Sequence, residues 1–161
     1  MPRRISKEEA IARALAEREQ EGCLVCALLA GRAGPMYLLH QGVHARALLS
    51  RYPRNWGQAL ILIETHTTRF SELDPEVWRE ANELAYAVAR RLEQTLSPIR
   101  CFVTCLGTAR TDLPMSSPHI HLHVDPVYDP DERPSTVLTL EHGALEAEPE
   151  EWEALRALLA W

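Results

Sequence analysis

The sequence predicts an α+β fold. Two observations carry the prediction: one long stretch with helical spacing of apolar residues, and several β-type apolar runs set around it. Strands that cluster about one central helix belong to this class. At 161 residues the chain suits one domain, 1–161, with a real core, and no internal repeat divides it.

The elements follow in order. Ser6 caps a helix that runs to about Glu21, with Glu9 completing a capping box and Gly22 stopping it. Met36 to His40, then Gln41-Gly42, then Val43 onward reads as a hairpin. Pro53 to Gly57 is a loop, and Gln58 to Glu64 a buried strand by its continuous apolar run. Asp74-Pro75-Glu76 is a strong helix start, because Asp caps well and Pro tolerates the first turn. Val77, Ala81, Leu84, Ala85, Val88 and Leu92 then repeat at helical spacing to about Leu96. Ile99 to Leu106 and Pro118 to Val124 read as strands, and Asp129 to Pro134 as a loop. Pro149 to Leu159 is a last helix, with Trp152, Leu155 and Leu159 on one stripe.

Composition removes some classes of function. A formal net charge of −6 does not suit a polyanion-binding surface, so no nucleic-acid partner is expected, although a small phosphate ligand in a local pocket is compatible with it. No apolar run approaches the ~20 residues that span a bilayer, and the N-terminus lacks the apolar region of a signal peptide. The expectation is a soluble, cytoplasmic protein without a membrane partner. Four cysteines in such a chain read as thiols or metal ligands before disulfides.

The most informative stretch is His119-Ile-His121-Leu-His123-Val-Asp125-Pro. Alternate strand residues share a face, so three imidazoles line one surface while Ile120, Leu122 and Val124 line the other. Serine and threonine would serve a merely exposed strand face. One metal bound by all three fails on geometry. The outer Cα atoms stand about 13 Å apart at the strand rise, whereas metal–nitrogen bonds are about 2 Å. A nucleophile with flanking helpers fits better, since a neutral imidazole can attack phosphorus and its neighbour can stabilise charge or pass protons near pH 7.

The run resembles the histidine triad (HIT) signature, His-φ-His-φ-His-φ-φ with φ apolar, and Asp125 departs from it at the last position. Upstream, Cys23-Leu-Val-Cys26 is similar to the family's early Cys-x-x-Cys. Pro53, Gly57 and the run Ala59-Leu-Ile-Leu-Ile63 ending in His66 are similar to its Pro…Gly-His-strand-Pro-Lys-x-His segment. The resemblance covers about 23–128, leaving a helical N-terminal extension, 1–21, and a C-terminal extension, 129–161. It implies an antiparallel sheet of about five strands on a long central helix, and a homodimer packed through that helix and an edge strand. It also implies a structural zinc held by Cys23, Cys26, His66 and His119. His121 would be the nucleophile, and His123 would contact the phosphate and help fix the attacking tautomer. Ser116 would stand near the phosphate and leaving group, with Ser117 making that register ambiguous by one.

The departures fall on recognition. Gly57-Gln58 replaces Gly-His, and Ser50 stands where an acid often holds the ribose hydroxyls. Cys105-Leu-Gly107 replaces Asn-x-Gly, Met115 replaces the Gln before the serine, and the segment from Gly107 to His119 is longer than usual. Gln58, Ser50, Gly107 and Arg110 are the expected substrate-binding positions. The expected function is a HIT-like hydrolase or nucleotidyl transferase acting on the α-phosphate of a phosphoramidate, a dinucleoside polyphosphate or another nucleotide conjugate. A zinc-stabilised binding module with little turnover is the alternative.

Overall fold

The computed structural model describes residues 2–106 and 117–161. The elements are β1 (Arg3–Ile5), α1 (Lys7–Glu21), α2 (Leu24–Leu29), β2 (Leu38–Gln41), β3 (Ala45–Leu49) and β4 (Ala59–Ile63). After them come a 3-10 turn (Phe70–Glu72), α3 (Pro75–Leu96), β5 (Arg100–Thr104), β6 (His121–Val127), α4 (Pro134–Leu138), β7 (Ala144–Glu146) and α5 (Pro149–Leu159). Among the described residues, no helix is long and apolar enough to cross a membrane.

The fold is α+β, as expected. Five antiparallel strands lie in the order β2-β3-β4-β6-β5, and β1 and β7 form a separate two-stranded ribbon. One face of the larger sheet packs on α3 and α5. Its buried residues are alternate ones: Ala45, Ala47 and Leu49 on β3, Ala59, Ile61 and Ile63 on β4, and Leu122 and Val124 on β6. From α3 they meet Ala81, Leu84, Ala85, Val88 and Leu92, the stripe visible in the sequence. Asp74 caps α3 by accepting the Glu76 N–H at 2.8 Å, and Ser97 ends it in the left-handed conformation at φ 50°.

The other face carries His121 and His123. Leu48 and Leu62 are buried there under Val25, Ala27 and Leu28 of α2. Ladder partners share a face. His121 lies opposite Leu62 and His123 opposite Leu60 on β4, and Thr104 of β5 lies opposite His123 on the far side.

Two of the differences from the sequence expectation bear on the site. β6 begins at His121 rather than Pro118 and continues through Pro126 to Val127. Upstream, the chain bends: the His119 N–H donates to Ser117 O at 2.8 Å and the Ile120 N–H to Thr67 O at 2.8 Å. Pro126 lies past the last β4 rung, Ala59 opposite Val124, so its missing N–H leaves no β4 carbonyl unmet. The second difference is α2, which forms where the Cys-x-x-Cys pair was read with no helix. Cys23 is its N-cap, and its Sγ accepts the Cys26 N–H at 3.5 Å.

Candidate functional site

The bend before β6 turns His119 away from the row formed by His121 and His123 and toward α2. His119 is 1% exposed. Its Nε2–H donates to the Ile63 carbonyl oxygen at 2.7 Å, which leaves the lone pair on Nδ1. That nitrogen lies 3.6 Å from Cys23 Sγ and 3.5 Å from Cys26 Sγ. His66, on the segment after β4, brings its own Nδ1 to 3.2 Å from Cys26 Sγ. The four donor atoms all lie within 4.8 Å of one another.

Those spacings can be tested against a metal. In a tetrahedron with metal–sulfur bonds of about 2.3 Å and metal–nitrogen bonds of about 2.05 Å, each S···N edge is about 3.6 Å. Three of the four S···N distances, at 3.6, 3.5 and 3.2 Å, lie near that value. Two thiols and two imidazoles, with one lone pair already aimed by a backbone carbonyl, are suited to hold a metal ion. The sequence expectation for Cys23, Cys26, His66 and His119 is met in space.

His121 and His123 stand side by side on the strand, their ring centroids 4.8 Å apart at an interplanar angle of 53°. His121 Nδ1–H donates to the carbonyl oxygen of His119 at 2.7 Å. The bond that His121 gives to this backbone oxygen fixes its tautomer. Nε2 keeps the lone pair. Burial lowers the proton affinity of His121, which favours the neutral imidazole. His123 is pushed down to about 3, chiefly by burial and then by the charges of His121 and Arg54.

Several polar atoms on this side of the molecule are buried without a hydrogen-bond partner among the described residues: His123 Nδ1, Thr104 Oγ1, Ser117 Oγ and Asp125 Oδ2. A buried polar group left unmatched costs about 1–3 kcal/mol, so a group of them marks a place where water or a ligand completes the bonding.

Ser50 and Gln58 lie one row further along the sheet. Both are buried, and the Ser50 N–H donates to Gln58 O at 2.9 Å. The Gln58 side chain accepts the Arg54 N–H at 2.8 Å and also bonds to the Asp125 carboxyl. Gly107, Arg110 and Ser116 lie outside the described residues.

Three residues were missed in the sequence. Cys105 stands in the Asn-x-Gly position, yet its side chain packs against the α3 side of the sheet. Thr104, one residue earlier, is the one opposite His123. Strand alternation carries this signal, given a fixed register. Arg54 and Asp125 are the other two, joined at 3.3 Å between Nη1 and Oδ1. Asp125 was legible as a carboxylate at an apolar position of the signature; its partner, 71 positions away, was not.

Comparisons agree with this geometry. The chain is 28% identical over 108 residues to an uncharacterised HIT-like protein of Mycoplasma genitalium, covering 66% of this chain and 74% of that one. It is 26% identical over 107 residues to a 16.1 kDa HIT-like protein of Mycoplasma pneumoniae, covering 66% and 72%. Its fold matches a Zn-bound histidine triad family protein from Mycobacterium smegmatis with a TM-score of 0.66, at 23% identity, over 85% of this chain and 92% of that one. A hypothetical histidine triad nucleotide-binding protein from Sulfolobus tokodaii matches with a TM-score of 0.65, at 19% identity, over 85% and 89%. The HIT domain family itself matches residues 35–129, more than half of the chain and with every triad histidine inside the match, and the protein belongs to that family.

Proposed function

We propose that this HIT protein is a hydrolase or nucleotidyl transferase acting on the α-phosphate of a nucleotide conjugate, with His121 as nucleophile. The observation that supports it most is the 2.7 Å bond from His121 Nδ1–H to His119 O, which leaves a neutral Nε2 on the site face. The Nε2 lone pair forms a bond to phosphorus as the bond to the leaving group breaks, and the leaving group takes up a proton. Water or a second acceptor then attacks the nucleotidyl-histidine, loses its proton and returns His121 to the neutral form. His123 and Ser116 are proposed to contact the phosphoryl oxygens, and Ser50, Gln58, Gly107 and Arg110 the rest of the substrate. A nucleotide ligand suits both the family and the Sulfolobus neighbour, which is described as nucleotide-binding.

The metal proposed for Cys23, Cys26, His66 and His119 is zinc, which favours four Cys and His ligands in a tetrahedron. Four protein ligands leave no open position, so its part is to tie α2, the segment after β4 and the start of β6 together. The homodimer is proposed to form through α3 and the edge strand β5, where Tyr86 (66%) and Val103 (46%) are exposed.

A second reading is a zinc-stabilised binding module with little turnover. It draws on the row of Ser50, Gln58 and Asp125, which is buried and bonded within itself. Mass spectrometry of the protein quenched during reaction with adenosine phosphoramidate separates the two. An adduct of one nucleotidyl group on His121 supports the enzyme. Saturable binding without adduct or turnover supports the module.

A further inference from the structure

The sheet brings a polar group to the triad from the neighbouring strand. Thr104 closes β5 and lies directly opposite His123 of β6. Residues opposite one another in an antiparallel pair put their side chains on one face, with Cα atoms about 4.5–5.5 Å apart. Two neighbours on β5 and just beyond it fix which face that is. Cys101 and Cys105 alternate with Thr104 and pack against the α3 side. Thr104 therefore points to the side that carries His121 and His123. His121, two residues from His123, is the diagonal neighbour of Thr104, at a separation of about 7–8 Å. That spacing leaves room for a tetrahedral group between the two side chains.

The hydroxyl is costly there unless something bonds to it. Thr104 Oγ1 is buried and has no hydrogen-bond partner among the described residues, and the same holds for His123 Nδ1 on the same rung. Valine would fill the space with a high strand preference and no polar atom to satisfy. A threonine hydroxyl rotates to donate where an acceptor lies, and a neutral imidazole donates in the tautomer protonated on Nδ1. Two unmatched groups, offered from two strands to one place, suit a single oxygen that accepts from both.

We infer that Thr104 contacts the substrate: its hydroxyl donates to one of the two non-bridging oxygens on the phosphorus under attack, the oxygen that His123 Nδ1 also meets. The site thereby tells the two non-bridging oxygens apart. The inference rests on the nucleotide reading above and deepens it by assigning one phosphoryl oxygen to the β5–β6 rung. Thr104 keeps its proton throughout. The bond it gives strengthens as charge gathers on the oxygen, while His121 Nε2 joins phosphorus and the leaving group departs.

The two diastereomers of adenosine 5′-phosphoramidothioate test this, beside the all-oxygen phosphoramidate. Sulfur replaces one non-bridging oxygen or the other, and sulfur is a weak acceptor. The diastereomer with sulfur toward Thr104 loses the bond, and the other keeps it. The proteins are the parent, Thr104→Val and Thr104→Ser, and initial release of the amine is measured. One lost hydrogen bond corresponds to roughly tenfold. The parent should prefer one diastereomer by at least about tenfold in kcat/KM. Thr104→Val should lose about tenfold on the all-oxygen substrate and on the preferred diastereomer, but little on the other, so the preference narrows. Thr104→Ser, which keeps the hydroxyl, should recover both rate and preference. If Thr104→Val does not fold, Thr104→Ala takes its place with the same expected result. A parent without preference, unchanged kcat/KM in the valine variant, or an equal loss on all three substrates overturns the inference; the equal loss is what a merely structural role gives. Absence of turnover and of adenosine monophosphate binding by the parent overturns it together with the nucleotide reading. Failure of the covalent mechanism alone looks different: the preference narrows in Thr104→Val as expected and no adduct forms on His121.

Discussion

The carbonyl oxygen of His119 accepts a hydrogen bond from His121 Nδ1–H at 2.7 Å, while the His119 ring faces the thiols of Cys23 and Cys26. One residue thus serves two sites. Its side chain belongs to the metal cluster, and its backbone sets the tautomer of the proposed nucleophile. This is possible because the chain bends at Ser117–Ile120 before β6 begins.

The first prediction concerns that nucleophile. His121→Ala should lower turnover by at least about a thousandfold, the scale seen when a covalent nucleophile is lost, and should abolish the nucleotidyl adduct. His121 lies on the face away from the α3 core, so the melting temperature should move little. His123→Ala should cost less, because it leaves the attacking nitrogen and its tautomer in place. Steady-state kinetics beside thermal melting tests this, and parent-like turnover in His121→Ala excludes the covalent mechanism.

The second concerns the metal. Elemental analysis should find about one zinc per chain, and a strong chelator should lower the melting temperature. Cys26→Ser should lose the metal. His121→Ala should keep it, since His121 contributes no donor to the cluster. Metal-free parent protein, or metal lost from His121→Ala and kept in Cys26→Ser, contradicts the assignment.

Much of this was legible in the sequence, and what was not has a physical reason. α3 was readable because Asp74, Pro75 and the apolar stripe agree with one another. The metal quartet was readable from the resemblance, although its members come from three separate parts of the chain. α2 was missed because six mostly apolar residues show neither helical nor strand period clearly. The ribbon of β1 and β7 was missed because three-residue strands carry too little pattern. Thr104 was missed through register: one residue of slip moves a strand side chain to the opposite face, and the signature drew attention to Cys105. Arg54 and Asp125 meet only in three dimensions.

The third prediction uses that pair and its sign. Burial raises the Asp125 carboxyl from its ordinary value of 3.8 to about 6, so the folded protein binds this proton more tightly than the unfolded chain does. Stability from this group is complete below about pH 4 and is lost as pH rises through about 6. Asp125→Asn removes that dependence. The ion pair with Arg54, which exists only when Asp125 is ionised, is already contained in that shift. The stability of the variant relative to the parent should therefore rise by about 1–3 kcal/mol between pH 4 and pH 7. Denaturant unfolding at both values measures it, and a flat or falling difference contradicts the shift.

The fourth prediction concerns Thr104. Its Oγ1 is buried without a partner among the described residues, and it lies opposite His123 on the last strand of the sheet. Valine has nearly the same shape and a high strand preference, but no hydroxyl. If the hydroxyl is idle, Thr104→Val should stabilise the protein by up to about 1–3 kcal/mol and leave catalysis alone, because an unmatched buried group has been removed. If it binds a phosphoryl oxygen, the same substitution should still raise stability without ligand, yet lower kcat/KM by roughly tenfold for one lost hydrogen bond. The second outcome is expected, because Thr104 shares its rung with a triad histidine whose Nδ1 is also unmatched among the described residues. The paired measurement is decisive: thermal melting of the free protein gives the sign of the stability change, and kinetics on the phosphoramidate gives the functional loss. A more stable Thr104→Val protein with unchanged kcat/KM would remove Thr104 from the site.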